Sequence, residues 1–295
     1  MPQFLLERFA DRQRRLTVYR LKAADSHVAS VRDVGHRNLG HTIYMPGRNP
    51  DHETLEKGMS EIEGATAGVV RDLLASRKGE ISTEHKEVLS WFIALQWQRH
   101  RMLLDLVRAK VLQDHPVKSA DPEFEYATKS LGLHSILMNV IWPWRNRNDP
   151  MSRPKERWNQ IVSRLEPMFW KTFRPHSPSL IVGDTTACLS GIANGHVFDL
   201  PVAYANHGIG LGFENFQRLT APLSPTLGLI ISRSEDDARK ITSRAMNRFT
   251  IGNSREFVAH APEWPSVAPV LFDAMNDELT TQRWLAQSIF PAFRL

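Results

Sequence analysis

Three polar residues interrupt or flank the apolar stripes of two consecutive predicted helices. Gln96 and Arg99 share the core face of a helix predicted over 82–112, and Glu63 flanks the stripe of a helix predicted over 51–76. The short connection between the helices predicts an antiparallel pair, which brings Glu63 toward Gln96 or Arg99. A buried guanidinium without a partner is costly, so Arg99 must meet carboxylates or carbonyls unless it emerges at the edge of the core.

A fourth polar residue, Asp184, follows a short apolar run at 180–182 that predicts a buried strand. Asp184 and Glu63 are candidates to hold a divalent cation such as Mg²⁺ or to act as acid and base. Arg99 would then stabilise developing negative charge. The alternative is a structural network that pairs Arg99 with Glu63 or Asp184. No tight nuclease-like spacing accompanies Asp184, so the residues leave both interpretations open.

Familiar cofactor motifs are missing from the sequence. Neither a dinucleotide-binding glycine motif nor a P-loop occurs, and the twelve histidines show no zinc-site spacing. The single cysteine, Cys188, excludes an internal disulfide and favours a reducing, cytoplasmic location. His207 lies in the glycine-punctuated stretch NHGIG, where a ligand can approach closely, and is a candidate binding residue.

The charge and one unusual segment point toward polyanions. The 295-residue chain has a net charge of +5, and arginine outnumbers lysine. No apolar run is long enough to span a membrane. An excursion at about 113–155 is rich in Trp, Pro and Arg, which suits base stacking and phosphate contacts. The alternative is that its tryptophans anchor a long loop. The residues concerned are Trp142, Trp144, Trp158, Arg145, Arg147, Arg153 and Arg157.

The pattern as a whole predicts an α+β fold, a mainly helical single domain over 1–295. A small sheet is expected to combine N-terminal and C-terminal strands. The predicted strands lie at 16–21, 41–44, 180–189, 222–231 and 256–260, the fourth within a longer strand-like run over 220–234. Further helices are predicted over 123–141, 155–171 and 234–252, followed by a helical C-terminal tail.

The neighbouring residues in the sequence indicate the local environment of two further polar residues, Ser224 and Asn247. Prolines bracket Ser224 in PLSP and stiffen the entry to the fourth strand. Asn247 falls near the core side of its helix, where a buried amide must be satisfied, so it is expected to tie the helix to a strand.

Several segments in the same order resemble a known family, DUF4238, over nearly the whole chain. They are PQFLLERFAD with LTVYRL, SEIEGATAGVVRDLL, FIALQWQR, SLIVGDTTACL, APLSPTLGLII and MNRFTIGNSREFVAHAP. The family is a domain of unknown function, so the resemblance implies positions and not a reaction. Its recurrent polar positions match Glu63, Gln96, Arg99, Asp184, Ser224 and Asn247.

The chain departs from that family pattern at two places. A Ser-Asp-Asn-Pro-like turn is replaced here by Gly183-Asp184-Thr185-Thr186, which keeps the aspartate. Met1 stands where the family usually has a valine preceded by one or two histidines, so the natural start is expected upstream.

Two functions are compatible with these observations. The first is an enzyme, such as a nuclease-like hydrolase, that acts on nucleic acid or another phosphorylated substrate, for instance as a toxin or phage-defence component. The second is a non-catalytic binding protein with a structural polar cluster.

Overall fold

A computed structural model describes residues 1–21, 25–35, 42–43, 49–76, 79–99, 130–149, 160–193, 196–198, 216–254 and 256–264. These residues belong to two compact units. Unit 1 comprises Met1–Gly35 and Phe169–Leu295, and unit 2 comprises His36–Met168. Each unit is described by itself.

The described secondary structure mixes helices with antiparallel strands, which confirms the α+β class. The helices are α1 (Gln3–Phe9), α2 (Thr54–Ala75), α3 (Thr83–Gln98), α4 (Trp142–Arg145), α5 (Gln160–Leu165), α6 (Glu235–Arg239) and α7 (Ser243–Asn253), with a π-helical segment at Leu137–Ile141. The strands are β1 (Arg15–Arg20), β2 (Asp25–Ser30), β3 (Phe169–Phe173), β4 (Val182–Gly183), β5 (Cys188–Ala193), β6 (His196–Phe198), β7 (Arg218–Ser224), β8 (Leu227–Ser232) and β9 (Phe257–His260).

Unit 1 contains two antiparallel sheets. The first has the order β2-β1-β9-β4, so the expected sheet that combines N-terminal and C-terminal strands is confirmed. The second has the order β3-β8-β7-β5-β6, and every residue of β7 and β8 is buried. Helix α7 contacts β4 of the first sheet and both β5 and β7 of the second.

Four predictions are wrong in their boundaries. The strand predicted over 180–189 is two strands of different sheets, β4 and β5. The run over 220–234 is a hairpin, β7–β8, because Pro225-Thr226 forms a turn inside it. The helix predicted over 155–171 ends at Leu165 in the described part of the chain, and β3 follows. The helix predicted over 234–252 is two helices, α6 and α7, because Thr242 accepts a hydrogen bond from the Ala245 amide and starts a second helix.

Unit 2 is helical in its described part, and its two long helices follow the predicted pattern. The expected stripe of α2 is buried, namely Leu55, Met59, Ile62, Thr66, Val69 and Leu73. Ser82 caps α3 by accepting from the His85 amide at 3.1 Å. Residues 89–96 of α3 are all buried, so this helix is enclosed on more faces than its stripe predicted.

Some predicted elements lie outside the described residues. These are the continuation of α3 over 100–112, the parts of the excursion at 113–129 and 150–155, and the C-terminal tail. At 41–44, the described part consists of a single antiparallel bridge between Ile43 and Asp51.

Substitution by alanine is expected to have opposite effects on stability at two glycines of α2. A Cβ at Gly58 would lie 2.3 Å from Cγ2 and 2.9 Å from Cδ1 of Ile141, which is fully buried in the π-helical segment. A Cβ at Gly64 would meet nothing within 4 Å. We expect Gly58→Ala to destabilise by about 1–3 kcal/mol through overpacking, and Gly64→Ala to stabilise by roughly 0.5–1 kcal/mol through helix propensity.

Urea denaturation of the two variants beside the parent protein measures both effects. The double variant Gly58→Ala with Ile141→Ala provides a further check. In the Ile141→Ala background, Gly58→Ala should lower the free energy of unfolding much less, because the side chain that the new Cβ would contact is gone. Equal stabilisation by the two glycine substitutions would contradict the close packing of α2 on the π-helical segment.

Candidate functional site

The structure brings Glu63 of α2 to Arg99, the residue that ends α3. Arg99 Nη1 donates to Glu63 Oε1 at 2.5 Å, and the same nitrogen lies 4.0 Å from Met59 Sδ. The side chains of Arg99 and Glu63 are 10% and 20% exposed, so most of the ion pair is removed from water. The contact is the one expected from the short connection between α2 and α3.

Gln96 adds a second polar group one turn before Arg99. It is 7% exposed, and its Nε2 has no hydrogen-bond partner among the described residues. Within the same part of the chain, the side chain of Arg99 makes its polar contacts through Nη1 alone. Since residues three apart share a helix face, Gln96 Nε2 and the Nε and Nη2 of Arg99, which no described residue engages, project from one side of α3. Such donors suit an anionic ligand.

Asp184 closes a strand pair. Its backbone amide donates to the Phe257 carbonyl at 3.2 Å, and its Oδ2 accepts from the Glu256 amide at 3.2 Å. These bonds extend the β4–β9 ladder by one residue beyond Gly183. The Asp184 carboxylate, at the end of β4, therefore accepts the hydrogen bond that a main-chain carbonyl would otherwise accept in the ladder. Asp184 belongs to unit 1, whereas Glu63, Gln96 and Arg99 belong to unit 2.

Gly183 explains part of the altered turn before that aspartate. A Cβ at this position would lie 1.9 Å from Ser254 Oγ and 3.2 Å from Thr250 Cγ2, both at the C-terminal end of α7. The glycine therefore lets the last turn of α7 approach the backbone of β4.

Ser224 and Asn247 hold backbone segments of unit 1. Ser224 Oγ accepts from the Thr226 amide at 3.2 Å across the β7–β8 turn, where prolines bracket it. Asn247 is 3% exposed; it accepts from the Ile181 amide at 3.2 Å and donates to the Ser179 carbonyl at 2.8 Å. The expected tie between this helix and the run that leads into β4 is confirmed.

The aromatic and basic residues of the excursion divide into buried and exposed members. Trp144 is buried, with the Arg147 guanidinium 3.6 Å from the centre of its ring. Arg145 forks onto Glu61 with bonds of 2.9 and 2.6 Å, and this hydrogen bonding lowers the pKa of the Glu61 carboxyl. Trp142 is 60% exposed. In this segment Trp144 therefore lies in the core of unit 2, whereas Trp142 is exposed.

Some predicted binding residues and the predicted metal site cannot be placed in the described part of the chain. His207, Trp158, Arg153 and Arg157 lie outside the described residues. The described ranges contain no group of three or more His, Cys, Asp or Glu side chains placed to hold a metal ion. Mg²⁺ at Glu63 and Asp184 therefore remains a prediction.

Two buried polar groups of unit 1 escaped the sequence analysis. Asn253 of α7 accepts from the Leu189 amide at 3.2 Å and donates to the Leu189 and Phe249 carbonyls at 3.3 and 2.9 Å. Strand β6 pairs with residues 191–193 of β5, and Asn253 takes the role of a strand partner at Leu189. The sequence feature that could have indicated this role is an asparagine near the end of a helix that has core residues on several faces.

The second missed group is a buried pair, Tyr19 and His260, whose rings are stacked with centroids 5.6 Å apart. His260 Nδ1 lies 2.7 Å from the Ala261 carbonyl and Nε2 lies 3.3 Å from the Tyr19 hydroxyl. Because a carbonyl can only accept, Nδ1 carries the proton and Nε2 accepts from Tyr19. Burial lowers the pKa of His260 against the opposing effect of the Ala261 bond, and burial raises the pKa of Tyr19. The alternation of FVAH, with His260 two residues after inward Val258, was the signal for this pair.

Comparison with known proteins adds the family but no activity. A family model described as "Protein of unknown function (DUF4238)" matches residues 1–263. No curated protein and no solved structure matches the chain. In the part of the chain that the structure describes, no helix is long and apolar enough to cross a membrane.

Proposed function

The chain belongs to DUF4238, a family of proteins of unknown function, and we propose that it binds a phosphate-bearing substrate at Gln96 and Arg99 and acts on it as a hydrolase. Nucleic acid is the favoured substrate class, since the net charge of +5 attracts polyanions. The observation that carries the proposal is the polar group on α3: a mostly buried guanidinium that contacts Glu63 through one nitrogen, beside a buried amide whose nitrogen has no partner among the described residues.

Each residue has a distinct part in this proposal. Arg99 offers Nε and Nη2 to phosphate oxygens, because its contact with Glu63 engages Nη1. Gln96 supplies a neutral donor to the same anion. Glu63 fixes the orientation of the guanidinium and can exchange a proton with substrate or water as charge develops.

Asp184 has a structural part in this proposal. Its Oδ2 accepts from the Glu256 amide, so the carboxylate is engaged in the strand pair. A role in stability predicts that Asp184→Asn, which keeps an acceptor oxygen, leaves substrate turnover unchanged per folded molecule.

The experiment uses the full chain with a single-stranded DNA, an RNA oligonucleotide and bis(4-nitrophenyl) phosphate, in Mg²⁺, Mn²⁺ or EDTA. We expect Arg99→Met to reduce cleavage at least about 100-fold and Gln96→Leu about 10-fold, as for transition-state donors. Arg239→Met is the control, because Arg239 pairs with Glu235 on the exposed surface. Cleavage that survives Arg99→Met would contradict the proposal, as would the absence of cleavage of all three substrates.

A non-catalytic binding protein is the second candidate, favoured by the 60% exposure of Trp142 next to Arg145. Base stacking on an exposed tryptophan is worth roughly 1–3 kcal/mol. This function predicts salt-sensitive binding of single strands that is lost in Trp142→Ala and retained in Arg99→Met, without cleavage. Trp142→Phe should retain most of the affinity.

A further inference from the structure

A cavity of about 270 Å³ opens in unit 2 beside the N-terminal half of α3. Its wall includes Lys86, Glu87, Ser90 and Trp91 of α3, together with Arg147 and Glu166. We propose that this cavity binds a small zwitterion, an α-amino acid with an apolar or aromatic side chain. The proposal is independent of the function assigned to Arg99, which does not line the cavity.

The charges of the wall suit a ligand that carries both signs. The wall contains two cations, Lys86 and Arg147, and two carboxylates, Glu87 and Glu166, so the formal charges cancel. Within the described ranges, Lys86 and Glu166 form no ion pair, and Arg147 Nε lies 3.9 Å from Glu87 Oε1, at the far limit of one. The four charged groups therefore do not neutralise one another through close ion pairs. A ligand carboxylate can bind the cations and its ammonium group the carboxylates.

Arg147 is held in place before any ligand arrives. Its guanidinium stacks on the ring of Trp144, and its Nη1 donates to the Trp144 carbonyl at 2.7 Å. Trp144 in turn packs edge-on against Trp91, with ring centroids 6.4 Å apart. A cation fixed in this way loses little entropy on binding, which favours affinity for a small ligand.

The floor of the cavity provides an apolar contact and one open hydroxyl. Trp91 is 3% exposed and lines the cavity with a small part of its indole, and Val162 adds a further apolar contact. Ser90 is buried, and no described residue hydrogen-bonds with its hydroxyl. Because buried hydroxyls are normally hydrogen-bonded, this group is available to a polar atom of the ligand.

Size and charge together restrict the ligand class. Drug-sized ligands occupy pockets of roughly 300–1,000 Å³, and this cavity lies just below that range, so it suits a ligand of amino-acid size. Two carboxylates in the wall disfavour phosphate, whose charges would meet both Glu87 and Glu166. Two cations disfavour a simple amine in the same way.

The test measures binding of L-phenylalanine to the full chain by titration calorimetry, beside phenethylamine and 3-phenylpropionate, which each lack one charge. We expect saturable binding of L-phenylalanine and about tenfold weaker binding of either analogue, since each loses one charged contact. Equal affinity for 3-phenylpropionate would show an anion site, and equal affinity for phenethylamine a cation site; either result overturns the proposal. So does the absence of saturable binding of L-phenylalanine.

Two substitutions locate the site. Lys86→Gln and Glu166→Gln should each weaken L-phenylalanine binding about tenfold, whereas Lys57→Gln, on an exposed Glu53 pair, should leave it unchanged. Because L-phenylalanine binding is measured without any phosphate substrate, failure of this proposal and failure of the phosphate-site proposal are distinguished. Unchanged affinity in both cavity variants, with circular dichroism confirming their fold, would rule out this cavity.

Discussion

Asn253→Ala is expected to lower the free energy of unfolding by about 3–4 kcal/mol, because the substitution leaves buried backbone groups without partners. Asn253 is 6% exposed and satisfies both the amide and the carbonyl of Leu189, in addition to the Phe249 carbonyl. Alanine restores none of these bonds, and its better helix propensity offsets at most roughly 0.7 kcal/mol. Urea denaturation followed by far-ultraviolet circular dichroism measures the loss.

The matched control is Asn139→Ala. Asn139 also lies in a helical segment, but it donates to Ser135 Oγ on the exposed surface. Its replacement should change stability by less than about 0.5 kcal/mol. A loss below about 1 kcal/mol for Asn253→Ala would mean that other groups satisfy Leu189, and the bridging role of Asn253 would have to be abandoned.

Arg99→Met is expected to destabilise unit 2 by about 2–4 kcal/mol, since it leaves the mostly buried Glu63 carboxylate without its cation. The paired variant Arg99→Met with Glu63→Leu should return to within about 1 kcal/mol of the parent protein, because apolar pairs can replace buried ion pairs at little cost. Chemical denaturation of the two single variants and the double variant gives the coupling energy.

Arg145→Met is the control, because it removes the cation from an ion pair that is more exposed to solvent. Its partner Glu61 is 45% exposed, so the loss should not exceed about 1 kcal/mol. If the double variant is as unstable as Arg99→Met alone, the ion pair is a structural requirement. If the double variant recovers stability and still lacks phosphate binding, the pair serves the ligand.

Local patterns in the sequence were sufficient for the elements that position the α3 site. The stripe of α2, the Ser82 cap and the approach of Glu63 to Arg99 follow from helical periodicity and one short connection. The same reasoning predicted a sheet that combines N-terminal and C-terminal strands, as β1 and β9 do. It also placed the runs at 180–189 and 222–231 in that sheet, whereas β5, β7 and β8 belong to a second sheet.

Elements that depend on distant partners could not be read in this way. The engagement of Asp184 requires Glu256, which is 72 residues away, so the sequence left its carboxylate available for chemistry. The helix predicted over 155–171 includes the first residues of β3, because a short apolar run suits both structures. Of the two prolines that predicted a strand entry, Pro222 lies within β7 and Pro225 lies at the turn that leads into β8.

Helix α7 has a consequence for the order in which unit 1 is assembled. Asn247 and Asn253 complete backbone bonds at Ile181 and Leu189, from sequence separations of 66 and 64 residues. One helix therefore supplies missing partners both to the run before β4, in the first sheet, and to β5, in the second. During vectorial synthesis the segment 179–193 leaves the ribosome well before α7 exists. Its backbone groups lack these partners until the helix has been synthesised, so we expect both sheets to complete their hydrogen bonding only after α7 forms.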